Sequence, residues 1–276
     1  METTLQEALT QAKEAISGAD ALLITAGAGM GVDSGLPDFR GDEGFWRAYP
    51  PLAKLGIGFQ QMANPRWFER DPTLAWGFYG HRLNLYRATA PHAGFAMLHT
   101  LAAKMSRGAH IFTSNVDGAF LKAGFDAAHI TECHGSIHHL QCTAPCTQDV
   151  WSADDARVTI NLDTMRTFGA LPTCPRCGAL ARPNILMFGD GAWIGDRSEA
   201  QHDRLESWLR SLRGARGVVL EFGAGTAIPT VRRLGEQLAG QGFSHVRVNP
   251  RESQGPTGTI SIPLGGLAGC EALGLS

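Results

Sequence analysis

Four cysteines are spaced as metal ligands. Cys142 and Cys146 are separated by three residues, Cys174 and Cys177 by two, and 27 residues lie between the pairs. Two close cysteine pairs on turns are the usual arrangement for tetrahedral Zn²⁺ held by four thiolates. A site with all four positions filled by sulfur is structural, and it staples a segment too small to fold on its own core. Cys133 and Cys270 fall outside the pattern. Cys133 directly precedes His134, but neighbours on a strand point to opposite faces, so the sequence does not favour a Cys–His nucleophile pair.

A second set of residues suits a nucleotide. The apolar run Ala21–Thr25 leads into Gly27-Ala28-Gly29-Met30-Gly31. Glycines after a strand let backbone N–H groups approach a pyrophosphate. Val32 stands where a GxGxxG motif needs its third glycine, and the triplet alone fits a tight strand-to-helix turn equally well. The following loop is kinked by Gly35 and Pro37 and ends in Asp38-Phe39-Arg40. An aromatic there can cover a ring, and a guanidinium can hold ribose or phosphate oxygens. Among ten histidines His134 stands out because it closes an apolar stretch ahead of Gly135-Ser136. Tyr79 and Arg82 are three residues apart, so on a helix they share a face. A phenol and a guanidinium together can clasp a carboxylate, although the spacing also fits a tyrosine lying under a solvated arginine.

These residues need elements to hold them. Thr4 and Glu7 have capping-box spacing, and Leu5, Ala8, Leu9, Ala12 and Ile16 repeat with a helical period up to Gly18. β-Rich apolar runs occur at 21–25, 111–113, 218–222 and 245–248, and helix-compatible stretches at 94–105, 198–213 and 230–239 precede the last three. Alternating strands and helices predict an α/β fold with a doubly wound, mostly parallel Rossmann-like sheet, here carrying a small zinc-binding lobe. Residues 42–75 hold Pro50-Pro51, several aromatics and little periodicity, which predicts an irregular or mobile insertion near the ligand. Residues 140–185 contain the four spaced cysteines and no good helix.

Composition excludes several classes. The 276 residues are 43% hydrophobic and 18% charged, enough apolar matter for a sizeable core. A formal charge of −2 leaves no electrostatic footprint for nucleic acid or anionic membrane. No apolar run reaches the roughly 18–20 residues of a membrane span. The N-terminal residues lack the basic and apolar regions of a signal peptide, so a cytoplasmic location is expected. Thirty-four glycines call for tight turns or close backbone approaches.

Taken in order, the motifs resemble those of the sirtuins, the NAD-dependent protein deacylases. Gly27 to Gly41 resembles the family's first signature, and Thr113-Ser114-Asn115-Val116-Asp117 resembles its Thr-Gln-Asn-Ile-Asp. Glu132-Cys133-His134-Gly135-Ser136 is similar to Glu-Leu-His-Gly-Ser, and Arg182 to Asp190 to Arg-Pro-Asp-Val-Val-Trp-Phe-Gly-Glu. Gly223-Ala224-Gly225 and Val248-Asn249 fall where the family has two later NAD contacts. Ser114 stands in place of Gln, Met187 in place of Trp, and Gly-Ala-Gly in place of Gly-Thr-Ser.

The resemblance implies one catalytic domain over 1–276. Its Rossmann-like NAD-binding part would be 1–139 and 186–276, with a zinc lobe at 140–185 and an irregular or helical insertion near the NAD and acyl site at 42–90. It implies NAD as co-substrate, held by Gly27, Ala28, Gly29, Asp38, Phe39, Arg40, Ser114, Asn115, Asp117, Gly223, Ala224, Gly225 and Asn249. Asn115 and Asp117 offer a donor and an acceptor to the nicotinamide carboxamide. His134 would be the general base, since an imidazole with a pKa near ~6.5 can accept a proton at neutral pH. The products implied are nicotinamide, free lysine and O-acyl-ADP-ribose. The substrate is an acyl-lysine protein or peptide, adding as a strand along Ile185, Leu186, Met187 and Phe188. The Tyr79–Arg82 spacing resembles the Tyr-x-x-Arg of sirtuins that remove succinyl or malonyl groups. The same motifs also fit an NAD-cleaving ADP-ribosyltransferase or glycohydrolase, or a non-catalytic NAD-sensing module.

Overall fold

Thr4 opens the first helix by a reciprocal cap. Its hydroxyl accepts from Glu7 N–H at 3.2 Å, and the Glu7 carboxylate accepts from Thr4 N–H at 2.8 Å. The helix Leu5–Ser17 then buries Ala8, Ala12 and Ile16. In this computed structural model the described residues are 4–37, 41–144 and 146–275.

The strands are β1 (Ala21–Ala26), β2 (Ala109–Thr113), β3 (Ile130–Glu132), β4 (Gly135–Cys142), β5 (Trp151–Ser152), β6 (Thr159–Asn161), β7 (Arg166–Phe168), β8 (Ala181–Ile185), β9 (Gly217–Phe222), β10 (Ser244–Val248) and β11 (Thr259–Ile262). Six form a wholly parallel sheet in the order β11-β10-β9-β1-β2-β3. Every residue of β1 and β9 is buried, as expected of central strands covered on both faces. One face packs Leu22, Ile24, Ile111, Val218, Leu220 and Val246 against Phe95, Leu98 and Phe120. The other packs Leu23, Phe112 and Val219 against Leu205, Val231 and Leu238. From β1 the chain builds outward to β2 and β3, then returns to the other side of β1 as β9. The order therefore reverses between β1 and β9, and the crevice beyond the C-terminal ends of these strands is the natural ligand position.

A second core lies apart from this sheet. Antiparallel β5-β4-β8 and the hairpin β6-β7 pack with the segment 41–88. The segment expected to be irregular consists of short helices at Gly41–Ala48, Pro50–Lys54, Phe59–Met62 and Trp67–Arg70, then a long one at Pro72–Ala88. Helices of one or two turns repeat too few positions to show a period, which is why the sequence looked patternless. Their aromatics are ordered by packing: Phe45, Tyr49, Trp67, Phe68, Trp76, Phe78 and Tyr86 join Ile137, Leu140, Val158, Met165 and Ile185 in one core. Gly77 makes the approach possible, because a Cβ there would sit 1.9 Å from the Met165 carbonyl oxygen. The Trp76 indole then donates to Ala181 O at 2.9 Å.

Candidate active site

The ends of β1 and β9 meet through glycine. A Cβ on Gly27 would lie 2.7 Å from Ala224 Cα, and one on Gly223 would lie 2.3 Å from Met30 N. The N–H groups of Gly27 and Gly29 bond Phe222 O and Gly223 O. These two donors are therefore spent inside the protein. Glycine here serves loop-on-loop packing, so a pyrophosphate would meet other N–H groups than these two.

Beyond these loops opens a cavity of about 1240 Å³. That exceeds the roughly 300–1,000 Å³ of an ordinary small-molecule site and leaves room for more than one ligand. Gly27, Ala28, Ser114, Asn115, Asp117, His134, Gly223, Ala224, Gly225, Tyr79, Arg82 and Ile185 to Phe188 all line it. Asp38, Phe39 and Arg40 lie outside the described residues. Gly29 and Asn249 do not reach the wall. Asn249 supports it: its amide donates to Ala224 O at 2.9 Å, and its carbonyl oxygen accepts from the N–H groups of Arg251 and Glu252.

Cys133 and His134 form a turn between β3 and β4 rather than part of a strand. They still do not pair. Cys133 packs against the core of the large sheet, and burial pushes its thiol up to about 12. His134 faces the cavity, and burial holds its imidazole below the usual value despite a hydrogen bond with the Ser114 backbone. Gly135 makes this turn possible. Its φ is +77°, and a Cβ would come within 2.1 Å of Asn184 O.

Asn115 is fixed by its amide donating to Gly27 O at 3.0 Å and its N–H donating to Thr113 Oγ1 at 3.0 Å. Asp117 accepts from Ala119 N–H at 2.9 Å, and burial raises its carboxyl above the ordinary carboxylate range. Segment 186–188 is held more firmly than strand addition requires. Leu186 N–H bonds His134 O, Phe188 N–H bonds Ala63 O, and Met187 N–H bonds Asp190 Oδ2. These donors are occupied, so a peptide pairing along 185–188 cannot use them in this conformation. Asp190 is itself anchored by Arg182 in a buried two-pronged pair at 2.7 and 2.9 Å.

Thr226, Glu252 and Tyr86 also line the cavity, and no motif in the sequence marks them. Thr226 donates to Glu252 Oε1 at 2.6 Å, linking the loops after β9 and β10. Tyr86 was findable as the residue one helical turn beyond Arg82.

The four-cysteine set meets a metal's demands. Cys142 Sγ lies 3.6 Å from Cys177 Sγ, and Cys146 Sγ lies 3.5 Å from Cys142 Sγ and 3.6 Å from Cys174 Sγ. All four sulfurs fall within 4.8 Å of one another. A tetrahedron with Zn–S of about 2.3 Å places sulfurs roughly 3.8 Å apart, so this donor set fits a structural Zn²⁺.

A parallel doubly wound sheet, a cavity at its reversal point and a four-cysteine lobe beside it together define a class of Rossmann-like nucleotide-site proteins with a metal-stapled module. More narrowly, the chain belongs to the Sir2 family, whose model matches residues 27–206. It is 28% identical over 276 residues to an NAD-dependent protein deacylase of Thermus thermophilus, covering 97% of this chain and 94% of that one. It is 34% identical over 164 residues to a protein of the same name from Pyrococcus furiosus, spanning 59% of each. The NAD-dependent protein deacylase sirtuin-5, mitochondrial, of Danio rerio is 30% identical over 204 residues, covering 66% of this chain and 61% of the relative. Among solved structures, a Sir2 homolog–NAD complex matches with TM-score 0.70 and 22% identity, over 97% of this chain and 95% of that one. A Sir2 bound to acetylated peptide matches with TM-score 0.71 and 19% identity, over 97% and 99%. At these identities the structures establish the fold. No helix among the described residues is long and apolar enough to cross a membrane.

Proposed function

We propose that this chain is a cytoplasmic NAD-dependent protein-lysine deacylase that yields nicotinamide and O-acyl-ADP-ribose. The observation that carries the reading is convergence: one cavity gathers the strand-end loops, His134, the Asn115–Asp117 turn and the Tyr79–Arg82 pair. The names of the Thermus, Pyrococcus and Danio relatives agree with it.

In this reading bound NAD supplies an activated ribose carbon. The rest of the work falls to the protein. His134, kept neutral by burial, accepts the proton of a ribose hydroxyl. Asn115 and Asp117 orient the carboxamide, the amide supplying a donor and the carboxyl an acceptor. Gly27, Ala28, Ser114, Gly223, Ala224 and Gly225 form the floor under the dinucleotide, with Asn249 bracing it. Residues 140–185 act as the zinc lobe and 42–90 as the acyl-side wall of a single catalytic unit. A base in the cavity favours acyl transfer over plain NAD hydrolysis, which has less need of one.

The acyl group is one with a terminal carboxylate. The Arg82 guanidinium lies 5.9 Å from the Tyr79 ring centroid, and both residues are buried in the cavity wall. The test is incubation with NAD and acetyl-, malonyl- and succinyl-lysine peptides, with products identified by mass. O-Acyl-ADP-ribose is expected, most rapidly from the acidic acyl groups. Free ADP-ribose as the sole product would overturn deacylation, and a strong acetyl preference would overturn the acidic-acyl assignment.

A further inference from the structure

The acyl side of the cavity contains a second hydroxyl donor, on Tyr86. Tyr86 follows Arg82 by four residues on the helix Pro72–Ala88, so the two share a face. Its phenolic oxygen accepts from Arg82 Nε at 2.9 Å and from Nη2 at 2.8 Å. The guanidinium also lies over its ring, 5.3 Å from the centroid. Two N–H groups thus occupy the oxygen's acceptor sites, while its own hydrogen meets no acceptor among the described residues. Tyr86 is only 7% exposed and lines the cavity beside Tyr79 and Arg82. A buried O–H left unpaired is unfavourable, so this one is poised for something that enters.

We propose that Tyr86 is a specificity-determining residue whose hydroxyl donates to the terminal carboxylate of the acyl group while its oxygen fixes the fork of Arg82. The inference rests on the acidic-acyl reading above and adds to it a donor that the Tyr79–Arg82 pair does not include. A carboxylate is the matching acceptor. It has no hydrogen of its own, and it takes an O–H and a guanidinium charge at once. Accepting from a cation polarises the phenol and makes it a better donor. Burial pushes the phenol up more than Arg82 pulls it down, so it keeps its proton. All three tyrosines of the chain, Tyr49, Tyr79 and Tyr86, act electrostatically on Arg82. Tyr86 binds it through both Nε and Nη2.

The experiment compares kcat/KM for a succinyl-lysine peptide with its succinamoyl analogue, in which a terminal carboxamide replaces the carboxylate at equal length. In the parent the carboxylate should be preferred. Tyr86→Phe keeps the ring over Arg82 and should cut that preference about tenfold, mainly through KM, as loss of one charge-assisted hydrogen bond predicts. Tyr86→Gln, which can both accept from Arg82 and donate, should recover part of it. A parent without carboxylate preference would overturn the acidic-acyl reading itself. A parent with the preference but an unchanged ratio in Tyr86→Phe would overturn the role of Tyr86 alone. Equal losses on both peptides, or no recovery in Tyr86→Gln, would make Tyr86 a packing residue and also overturn the role.

Discussion

Two buried arginines, one at the sheet end of the molecule and one at the aromatic, proposed acyl end, are held in opposite ways. Arg247, on β10 at the sheet end, is met by carboxylates. Its Nε lies 2.6 Å from Glu221 Oε1 and its Nη2 2.8 Å from Glu236 Oε1, with His245 donating to Glu221 alongside. Burial would raise the Glu221 carboxyl, but hydrogen bonds from His245 and Arg247 outweigh it and leave it below its ordinary value. Arg82, at the acyl end, is met by the Tyr86 phenol and by the rings of Phe78 and Tyr79. A carboxylate pair fixes a guanidinium as part of the fold, whereas a phenol fixes its orientation at the cavity wall.

The two ends also differ in what holds them together. The sheet end is a continuous apolar sandwich. Arg232 bridges its loops, donating to Glu252 O at 2.9 Å and Gln254 O at 2.7 Å. The acyl end is an aromatic core assembled from single-turn helices and small sheets, with the four-sulfur site at its margin.

This contrast can be broken in several ways, and the largest expected effect concerns the metal. About one Zn²⁺ per chain is expected on Cys142, Cys146, Cys174 and Cys177, and Cys174→Ser should lose both the metal and the lobe's fold. Metal analysis with limited proteolysis would read this, with cleavage expected in 140–185 and the parallel sheet spared. A Cys174→Ser protein that stays metal-loaded and protected would refute the ligand set.

His134 lines the cavity, and His134→Ala should lower product formation on the order of 10²–10⁴-fold. Nicotinamide exchange should fall less, because the base acts after nicotinamide leaves. The imidazole works unprotonated and burial depresses its pKa, so in the parent kcat/KM should hold as pH falls to about 6.5 and decline only below it. A pH–rate profile with its acidic limb above 7 would contradict this assignment.

Removing one member of the sheet-end pair should cost stability rather than selectivity. Glu221→Ala should lose about 3–5 kcal/mol in urea unfolding, since Arg247 would be left buried without its main counter-ion. Its succinyl-to-acetyl rate ratio should match the parent's. Arg82→Met is the reverse experiment. Losing a charge-assisted contact of roughly 1.5–3 kcal/mol should reduce the succinyl-to-acetyl ratio of kcat/KM by about tenfold to a hundredfold. If Glu221→Ala shifts that ratio and Arg82→Met does not, the roles of the two arginines are reversed.

Much of this molecule was decided locally and could be read from the chain. The Thr4–Glu7 cap, the apolar strands and the close cysteine pairs depend on neighbours a few residues away, and a sequence displays such neighbours directly. The motif order likewise placed His134, Asn115, Asp117 and the loops after β1 and β9 around one cavity. What the sequence left open depends on contacts between distant segments. The segment 41–88 and the strands from 135 to 185 share one core because Gly77 and Gly80 let a helix lie against β6 and β7. Gly29 is spent on Gly223, and the N–H groups of 186–188 are spent on His134, Ala63 and Asp190. Those pairings join residues up to about two hundred positions apart. Local spacing can show that a donor exists, but only the folded chain decides whether that donor is already paired, as in Leu186, or has its hydrogen left for a ligand, as in Tyr86.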